Sequence, residues 1–562
     1  MKTLFTPFWL SSWSFGLGLG WLLPNHYPPW VAFHFDAWIA AWILLAAAVV
    51  VWQSGSRVRI HRLALVCGCM VCIPFAQYFF GLLGFAGQAW IGTAYLLGLF
   101  LSVVLGAHWE SLRPNQALDG LFLAIGFASI ISVGLALYQW FGLSVDVLEL
   151  WIMGTPSSRV FANFIQPNQL ATFLLWGLLA CAWGIVRKQI ALSTGIFMGL
   201  YLLVGVALTQ SRTAFVAVAG MTVAAFLWRR LWSNRMVLPA VFALAAFYFV
   251  CALTLPSISE SFMIESGTGL VARSGGELRL PAYKTFIDAA IHAPIWGYGW
   301  SQTAVAQMAV AEQNAGLGGI FNQSHNLFLD LVLWCGIGLG GLISLLLVVW
   351  FLQKVRRVAD AQTALMVMLI GVVGWHAMLE LPLHYAYFLL PTGLVVGIVN
   401  SRLGEPVVLE IRRWQLASVL LMAAVLLAVI TRDYLLIEGN FYALRFERAR
   451  IATKPKEQMS PVLLLNHMNE FIRMARTPPR EGMSADELAW MHRVEQAYPS
   501  PSNMFALTLA LGLNGKTNDA QKLISKIRNM TSQADYERMC LSWKNESHAH
   551  PQLRSLEWPA WQ

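Results

Sequence analysis

Four basic residues and one histidine stand where an apolar chain has least use for them. Arg159 lies in Ser158-Arg159-Val160-Phe161-Ala162-Asn163 and Arg212 in Gln210-Ser211-Arg212-Thr213. Arg279 and Lys284 lie in Gly276-Glu277-Leu278-Arg279-Leu280-Pro281-Ala282-Tyr283-Lys284, and His325 in Ser324-His325-Asn326. Arg212 heads a long hydrophobic run, and an arginine in or near hydrocarbon costs a few kcal/mol, so a partner is expected. Two partners are plain: lipid headgroups reached by snorkelling, or a loop carboxylate such as Glu265 or Glu277. The third is an anionic ligand, because a guanidinium is always charged and grips oxyanions in a bidentate fork. Arg279 and Tyr283, four apart, share one face of a helix.

Ser324 is a good N-cap, which predicts His325 on the first turn of the following helix. The positive end of the helix dipole disfavours imidazolium there, and a neutral imidazole at the water–membrane boundary is what a general base requires. The plainer reading is a polar residue closing a helix end. Asp330, expected in the second turn, is the deepest carboxylate and a candidate to orient a donor. A last polar knot comprises His376, Glu380 and His384 around Pro382. His376 and Glu380 share a face as zinc ligands on a helix do. Pro382 breaks the register before His384, and no Asp-x-Asp pair is present to hold a metal on a nucleotide sugar. A metal-free site is expected. No P-loop appears and no dinucleotide-binding glycine fingerprint follows a strand, which argues against a soluble nucleotide.

The elements that must position these residues are membrane helices. Of the 562 residues, 57% are hydrophobic and 12% charged, against about 25% charged in a soluble domain. Apolar runs long enough to cross a hydrocarbon core of roughly 30 Å recur from Phe8 to Asp433. They predict an all-α, polytopic membrane protein with about 13 spans, near 8–23, 30–52, 63–80, 89–107, 117–141, 167–186, 190–208, 212–228, 236–255, 325–352, 362–379, 385–400 and 414–433. The first run lacks a small-x-small cleavage site and reads as a retained span rather than a signal peptide. With the N-terminus in the cytoplasm, Arg57, Arg59, Arg187, Lys188, Arg229, Arg230, Arg235, Arg356 and Arg357 fall in inside loops. The net charge of +9 is therefore a topology signal and no pointer to nucleic acid. Arg159, Arg212, Arg273, Arg279 and Lys284 are outside and run against that bias. The expected organisation is a transmembrane domain over 1–433, with a long periplasmic loop at 256–324, and a periplasmic helical domain over 434–562. Within the loop a helix should run from Arg279 to about His292 and stop at Pro294. Seven cysteines, six of them in apolar runs, give no disulfide framework.

Arginines for a phosphate or pyrophosphate, among apolar spans, suggest an anion that carries a lipid. Sugar transfer from a polyprenyl pyrophosphate fits: the arginines would stabilise the departing pyrophosphate in place of a metal, and His325 would take a proton from the incoming hydroxyl.

The motifs quoted above, with Gln166-Pro167-Asn168-Gln169, Pro294-Ile295-Trp296-Gly297-Tyr298-Gly299 and Leu381-Pro382-Leu383-His384-Tyr385, resemble those of bacterial PglL-type O-linked protein oligosaccharyltransferases. These are relatives of the O-antigen ligases and polymerases. The resemblance implies a GT-C-like helical fold in the inner membrane and en bloc transfer of a glycan from undecaprenyl pyrophosphate, with inversion and without a further cofactor. It maps the essential loop histidine onto His325 and phosphate-binding arginines onto Arg212 and Arg279. Arg159 and Lys284 match less closely, Gln166 or Gln169 would line the site with Tyr385, and Glu380 stands nearby. In the tail, the stretches Asn503 to Asn514 and Asn518 to Asn529 resemble a tetratricopeptide helix pair. Such a surface suits a protein acceptor such as a pilin; the alternative is a stabilising cap. An O-antigen ligase acting on lipid A core and a polymerase share the donor chemistry. A flippase for lipid-linked sugar is the non-enzyme alternative, but transporters carry charge at mid-membrane, where these spans have almost none.

Overall fold

The computed structural model describes residues 6–24, 28–143, 151–152, 159–262, 279–451 and 461–561. Ser158, Glu265, Arg273 and residues 276–278 lie outside the described residues. The helices are α1 (Pro7–Leu19), α2 (Phe33–Gln53), α3 (Arg62–Met70), α4 (Ile73–Phe79), α5 (Ala86–Leu112), α6 (Gln116–Trp140) and α7 (Pro167–Val186). They continue with α8 (Leu192–Leu208), α9 (Arg212–Leu227), α10 (Val237–Ser261), α11 (Arg279–Ile291), α12 (Thr303–Ala309), α13 (Leu327–Arg356), α14 (Ala361–Ala377) and α15 (Ala386–Arg402). The C-terminal part holds α16 (Arg413–Arg448), α17 (Asn466–Arg476), α18 (Ala485–Ala497), α19 (Pro501–Leu513), α20 (Thr517–Met530) and α21 (Gln533–Ala549). The chain is an all-helical membrane protein. Every expected apolar segment falls on helix, and eight helical segments among the described residues are long and apolar enough to cross a membrane. Strand is confined, among these residues, to a ribbon of β1 (Arg57–His61) and β2 (Val407–Arg412), antiparallel with Arg59 opposite Glu410. Glu410 also pairs with Arg57 at 3.1 Å.

The chain divides into two compact units. The first comprises Met1–Met70, Tyr95–Glu277 and Val348–Leu427. Its centre is α7, packed against α6, α8 and α14. Helices α5 and α15 touch through glycine: a Cβ on Gly106 would meet the Leu394 carbonyl at 2.0 Å, and one on Gly397 the Val103 carbonyl at 2.0 Å. Such close approach is what small residues permit where no hydrophobic effect drives helices together. Intramembrane charges find partners at helix ends: Asp119 with Arg187 at 3.0 Å, Glu110 with Arg402 at 2.7 Å, and Lys354 with Glu405. Asp36 on α2 accepts from Tyr95 Oη at 2.5 Å and from the Tyr387 amide at the start of α15, at 3.2 Å.

The second unit comprises Val71–Ala94, Leu278–Leu347 and Ala428–Gln562. Helix α13 is broken at Gly336, whose φ of 78° and ψ of 165° interrupt the ladder. Carbonyls freed there accept from the turn after α11: Leu333 from Tyr298 N at 2.8 Å and Trp334 from Gly299 N at 3.2 Å. Gln77 closes the join, donating to Trp334 O at 2.7 Å and accepting from Trp300 N at 2.8 Å. A side chain at Gly336 would strike the Ile295 carbonyl at 2.0 Å. The C-terminal helices share one core, into which Met308 and Ala311 from the α12 region also pack. Helices α19 and α20 form where their amphipathic spacing predicts, and α18 opens with a capping box of Ser484 and Glu487. Helix α16 runs past the expected end at 433 to Arg448, about 54 Å at 1.5 Å per residue. Asp433, fully buried, accepts three successive amides at 463–465 and anchors the returning chain.

Candidate functional site

In the first unit, Arg159 is anchored by acceptors on two neighbouring segments. Its Nε donates to Thr209 O at 2.9 Å and its Nη2 to Asn168 Oδ1 at 3.2 Å. The segment carrying it is pinned by Gln139, whose Oε1 accepts from Phe161 N and Ala162 N at 3.0 and 2.7 Å. Ala162, at φ 50°, turns the chain left-handed there. Thr209 belongs to the sharp corner between α8 and α9, where Gln210 is also left-handed at φ 47°. Ser211 caps α9 by accepting from Ala214 N at 3.2 Å, which leaves Arg212 as the first helical residue, at the head of an apolar helix as the sequence predicts, and half-buried.

Beyond Asn168 the polar contacts continue inward. Asn168 Nδ2 donates to Glu380 Oε1. His376 Nε2 lies 3.3 Å from Glu380 Oε2, and its Nδ1 lies 2.8 Å from Thr172 Oγ1. A carboxylate only accepts, so Nε2 carries the proton; in the neutral ring Nδ1 then accepts from the threonine hydroxyl. His376 and Glu380 are thus structural partners of the Arg159 anchor, and among the described residues no group of three His, Cys, Asp or Glu is arranged to hold a metal ion. His384 closes the following 3₁₀ turn, where burial pulls its imidazole down to about 4. Gln169 is fully buried and accepts from Tyr387 Oη at 2.7 Å, with its own amide nitrogen left without a partner among the described residues. Tyr385 stacks on Tyr387 with centroids 5.2 Å apart. Gln166 is half-buried at the cap of α7 and makes no capping bond.

In the second unit, Arg279 and Tyr283 open α11 one turn apart, as expected, and the helix ends at Ile291 before Pro294. Tyr283 Oη donates to His325 O at 3.1 Å, tying this helix to the histidine loop. Lys284 is exposed and sits roughly 140° around the helix from Arg279.

The position of His325 corrects the expectation. The histidine precedes the helix and adopts a left-handed conformation at φ 62°. Asn326 is the cap, its Oδ1 accepting from Phe328 N and Leu329 N, both at 3.1 Å. Asparagine at the cap satisfies the second and third amides as well as serine does, and Ser324 is committed elsewhere. Its amide donates to Asp330 Oδ1 at 2.8 Å and its hydroxyl to Asn326 O at 3.0 Å. Asp330 lies in the first helical turn, not the second, and also accepts from Thr303 Oγ1 at 3.1 Å. It orients the loop that bears His325. Phe321 meets the imidazole edge to face at 5.6 Å. Sequence reasoning missed Gln139, Asn168 and Thr172, whose only signal is a polar side chain at the end of an apolar run.

This is a membrane protein that holds Arg159 in a built polar socket and whose interrupted helix α13 follows a histidine on a braced loop. Comparison with known proteins gives the class. A profile described as O-Antigen ligase matches residues 197–346, one described as Protein glycosylation ligase matches 160–183, and one described as Virulence factor membrane-bound polymerase, C-terminal, matches 364–545. A general O-oligosaccharyltransferase of Acinetobacter baylyi is 28% identical over 544 residues, covering 94% of each chain. A ComP-specific O-oligosaccharyltransferase of the same organism is 26% identical over 339 residues, 59% of this chain and 60% of that one. The chain is similar, over nearly its whole length, to protein O-oligosaccharyltransferases and in part to O-antigen ligases, and it is a membrane glycosyltransferase.

Proposed function

We propose that the enzyme moves a glycan en bloc from undecaprenyl pyrophosphate to a serine or threonine hydroxyl of a periplasmic protein, with a pilin as the expected acceptor. The reading rests on His325, braced outside its helix by Asp330 and Tyr283, with arginines as the cations flanking the apolar helices. The imidazole would take the proton of the acceptor hydroxyl as its oxygen bonds to the anomeric carbon. The bond from that carbon to the pyrophosphate oxygen breaks, and inversion follows from attack on the opposite side. Arg159, Arg212 and Arg279 would carry the charge that develops on the leaving group, so no metal is invoked. The N-terminus would then be cytoplasmic, and the helices after 434 periplasmic, where they would meet the acceptor.

The O-antigen ligase profile over 197–346 favours a second acceptor, a lipid A core sugar, with the same donor. One experiment separates the two: cells that make a lipid-linked oligosaccharide receive a candidate pilin and either wild type or His325→Ala at matched membrane abundance. Glycan mass on the pilin with wild type alone supports the proposal. Decorated lipopolysaccharide with unmodified pilin transfers the reading to the ligase, and equal pilin glycosylation by both versions removes His325 as the base.

A further inference from the structure

The helices that carry the polar network at one end carry an apolar cavity toward the other. Its volume is about 160 Å³, and its wall includes Cys181, Leu203, Val218, Trp232, Leu244 and Met368. The lining falls on the C-terminal halves of α7 and α9 and mainly on the N-terminal halves of α8, α10 and α14. Asn168 and Thr172 open α7, so the cavity lies about 20 Å along the helix from them at 1.5 Å per residue. Polar groups in the wall are satisfied internally: Thr222 Oγ1 donates to Val218 O at 2.8 Å, and Trp232 Nε1 to Ala225 O at 2.8 Å. A cavity of this size lined by such groups stays dry and accepts hydrocarbon.

Its rim is cationic. Lining residues Val186, Trp232 and Val237 each have a cation two positions away, at Lys188, Arg230 and Arg235, all exposed and without an ion pair among the described residues. The turns 187–191 and 228–236 contain no acidic residue. Arg187 is taken by Asp119, and Arg229 lies over the Phe226 ring at 4.8 Å. The nearby Asp360 is spent capping α14 through Thr363 N and Oγ1. We propose that this cavity binds an acyl chain of an anionic phospholipid whose phosphate rests on Lys188, Arg230 and Arg235. Apolar wall and cationic rim together select a charged headgroup over a zwitterionic one. The separation from Arg159 and Asn168 makes it a site apart from the donor pyrophosphate.

The test reconstitutes the full chain in phosphatidylcholine vesicles doped with phosphatidylglycerol bearing a diazirine in its acyl chain, and maps photolabelled peptides by mass spectrometry. Label is expected on 178–186 and 237–245, displaced by unlabelled phosphatidylglycerol and not by phosphatidylcholine. Arg230→Ala and Arg235→Ala, both exposed and safe for folding, should each cut that label about fivefold, the factor for one cation at an anionic surface. Ala182→Phe, which fills the cavity, should abolish it. Label spread over outward faces of α10 and α16 regardless of headgroup overturns the proposal. So does displacement by undecaprenyl phosphate with none by phosphatidylglycerol, which would assign the cavity to the donor's tail.

Discussion

Replacing Glu380 by alanine removes the oxygens to which both Asn168 Nδ2 and His376 Nε2 are directed. Asn168 is 9% and His376 0% exposed, so solvent cannot take over directly. Leaving a buried donor unsatisfied costs about 1–3 kcal/mol, which gives about 2–6 kcal/mol for the pair. A water entering the emptied volume can satisfy one of them, so the cost of the one that remains, about 1–3 kcal/mol, is expected. Activity should suffer separately. Asn168 loses its orientation, and with it the alignment of its bond to Arg159 Nη2. A displacement of about 1 Å in a positioning group costs up to about 100-fold in rate, so a 10- to 100-fold fall is expected. Glu380→Gln should fold nearly as well. Its carbonyl still accepts from Asn168, while its NH₂ forces His376 to the other tautomer, with Nδ1 donating to Thr172. The assays are thermal unfolding of the detergent-solubilised protein and pilin glycosylation at matched abundance. Wild-type stability and rate in Glu380→Ala would refute the reasoning, since Asn168 and His376 would then have adequate partners without it.

Arg279→Lys keeps the charge and loses the bidentate fork; glycan transfer should fall by at least about tenfold, roughly 1.4 kcal/mol of transition-state stabilisation, with stability unchanged. Gly397→Ala places a methyl 2.0 Å from the Val103 carbonyl and should destabilise by about 1–3 kcal/mol, whereas Gly374→Ala, with nothing within 4 Å, should be neutral or better in the same unfolding assay. Glu495, 1% exposed, has its carboxyl raised by burial from 4.5 to about 7. The folded chain therefore holds a proton that the unfolded chain releases, a stabilisation present below pH 4.5 and lost as pH rises through 7. Glu495→Gln stays neutral, so its stability relative to wild type should rise with pH by about 3 kcal/mol across that window, at 1.36 per unit; a difference that does not change with pH would refute the assignment.

Much of the fold was legible because membrane helices announce themselves locally. A run of apolar residues needs no partner in the sequence to be read, and α6, α7, α9 and α11 fall within a few residues of expectation. What the runs concealed were their interruptions. The 63–80 segment breaks into α3 and α4, and α13 is interrupted at Gly336, because carbonyls at 333 and 334 are claimed by a turn some 35 residues earlier. The β1–β2 ribbon joins residues about 350 positions apart, and nothing local marks Arg57–His61 as half of a pair.

The site divides along the same line. The places of Arg212 and Arg279 at the heads of α9 and α11 were legible, because apolar runs and the residues that open them are read locally. Asn168 and Thr172 were not, since their significance lies in Glu380 and His376, more than 200 residues away. By sequence spacing Glu380 shares a helix face with His376, as zinc ligands do, yet its two oxygens are turned to an amide and an imidazole. His325 shows why residue type is more readable than conformation. Serine, histidine and asparagine in a row offer two capping side chains for one helix end, and the choice between them is made by Asp330. By drawing the Ser324 amide to its Oδ1, Asp330 leaves Asn326 to cap and His325 to turn left-handed out of the helix. The imidazole is then placed by the loop, against the Phe321 ring, rather than by the helix's first turn, which is why the loop's anchors, and not the capped end of the helix, decide where this residue can act.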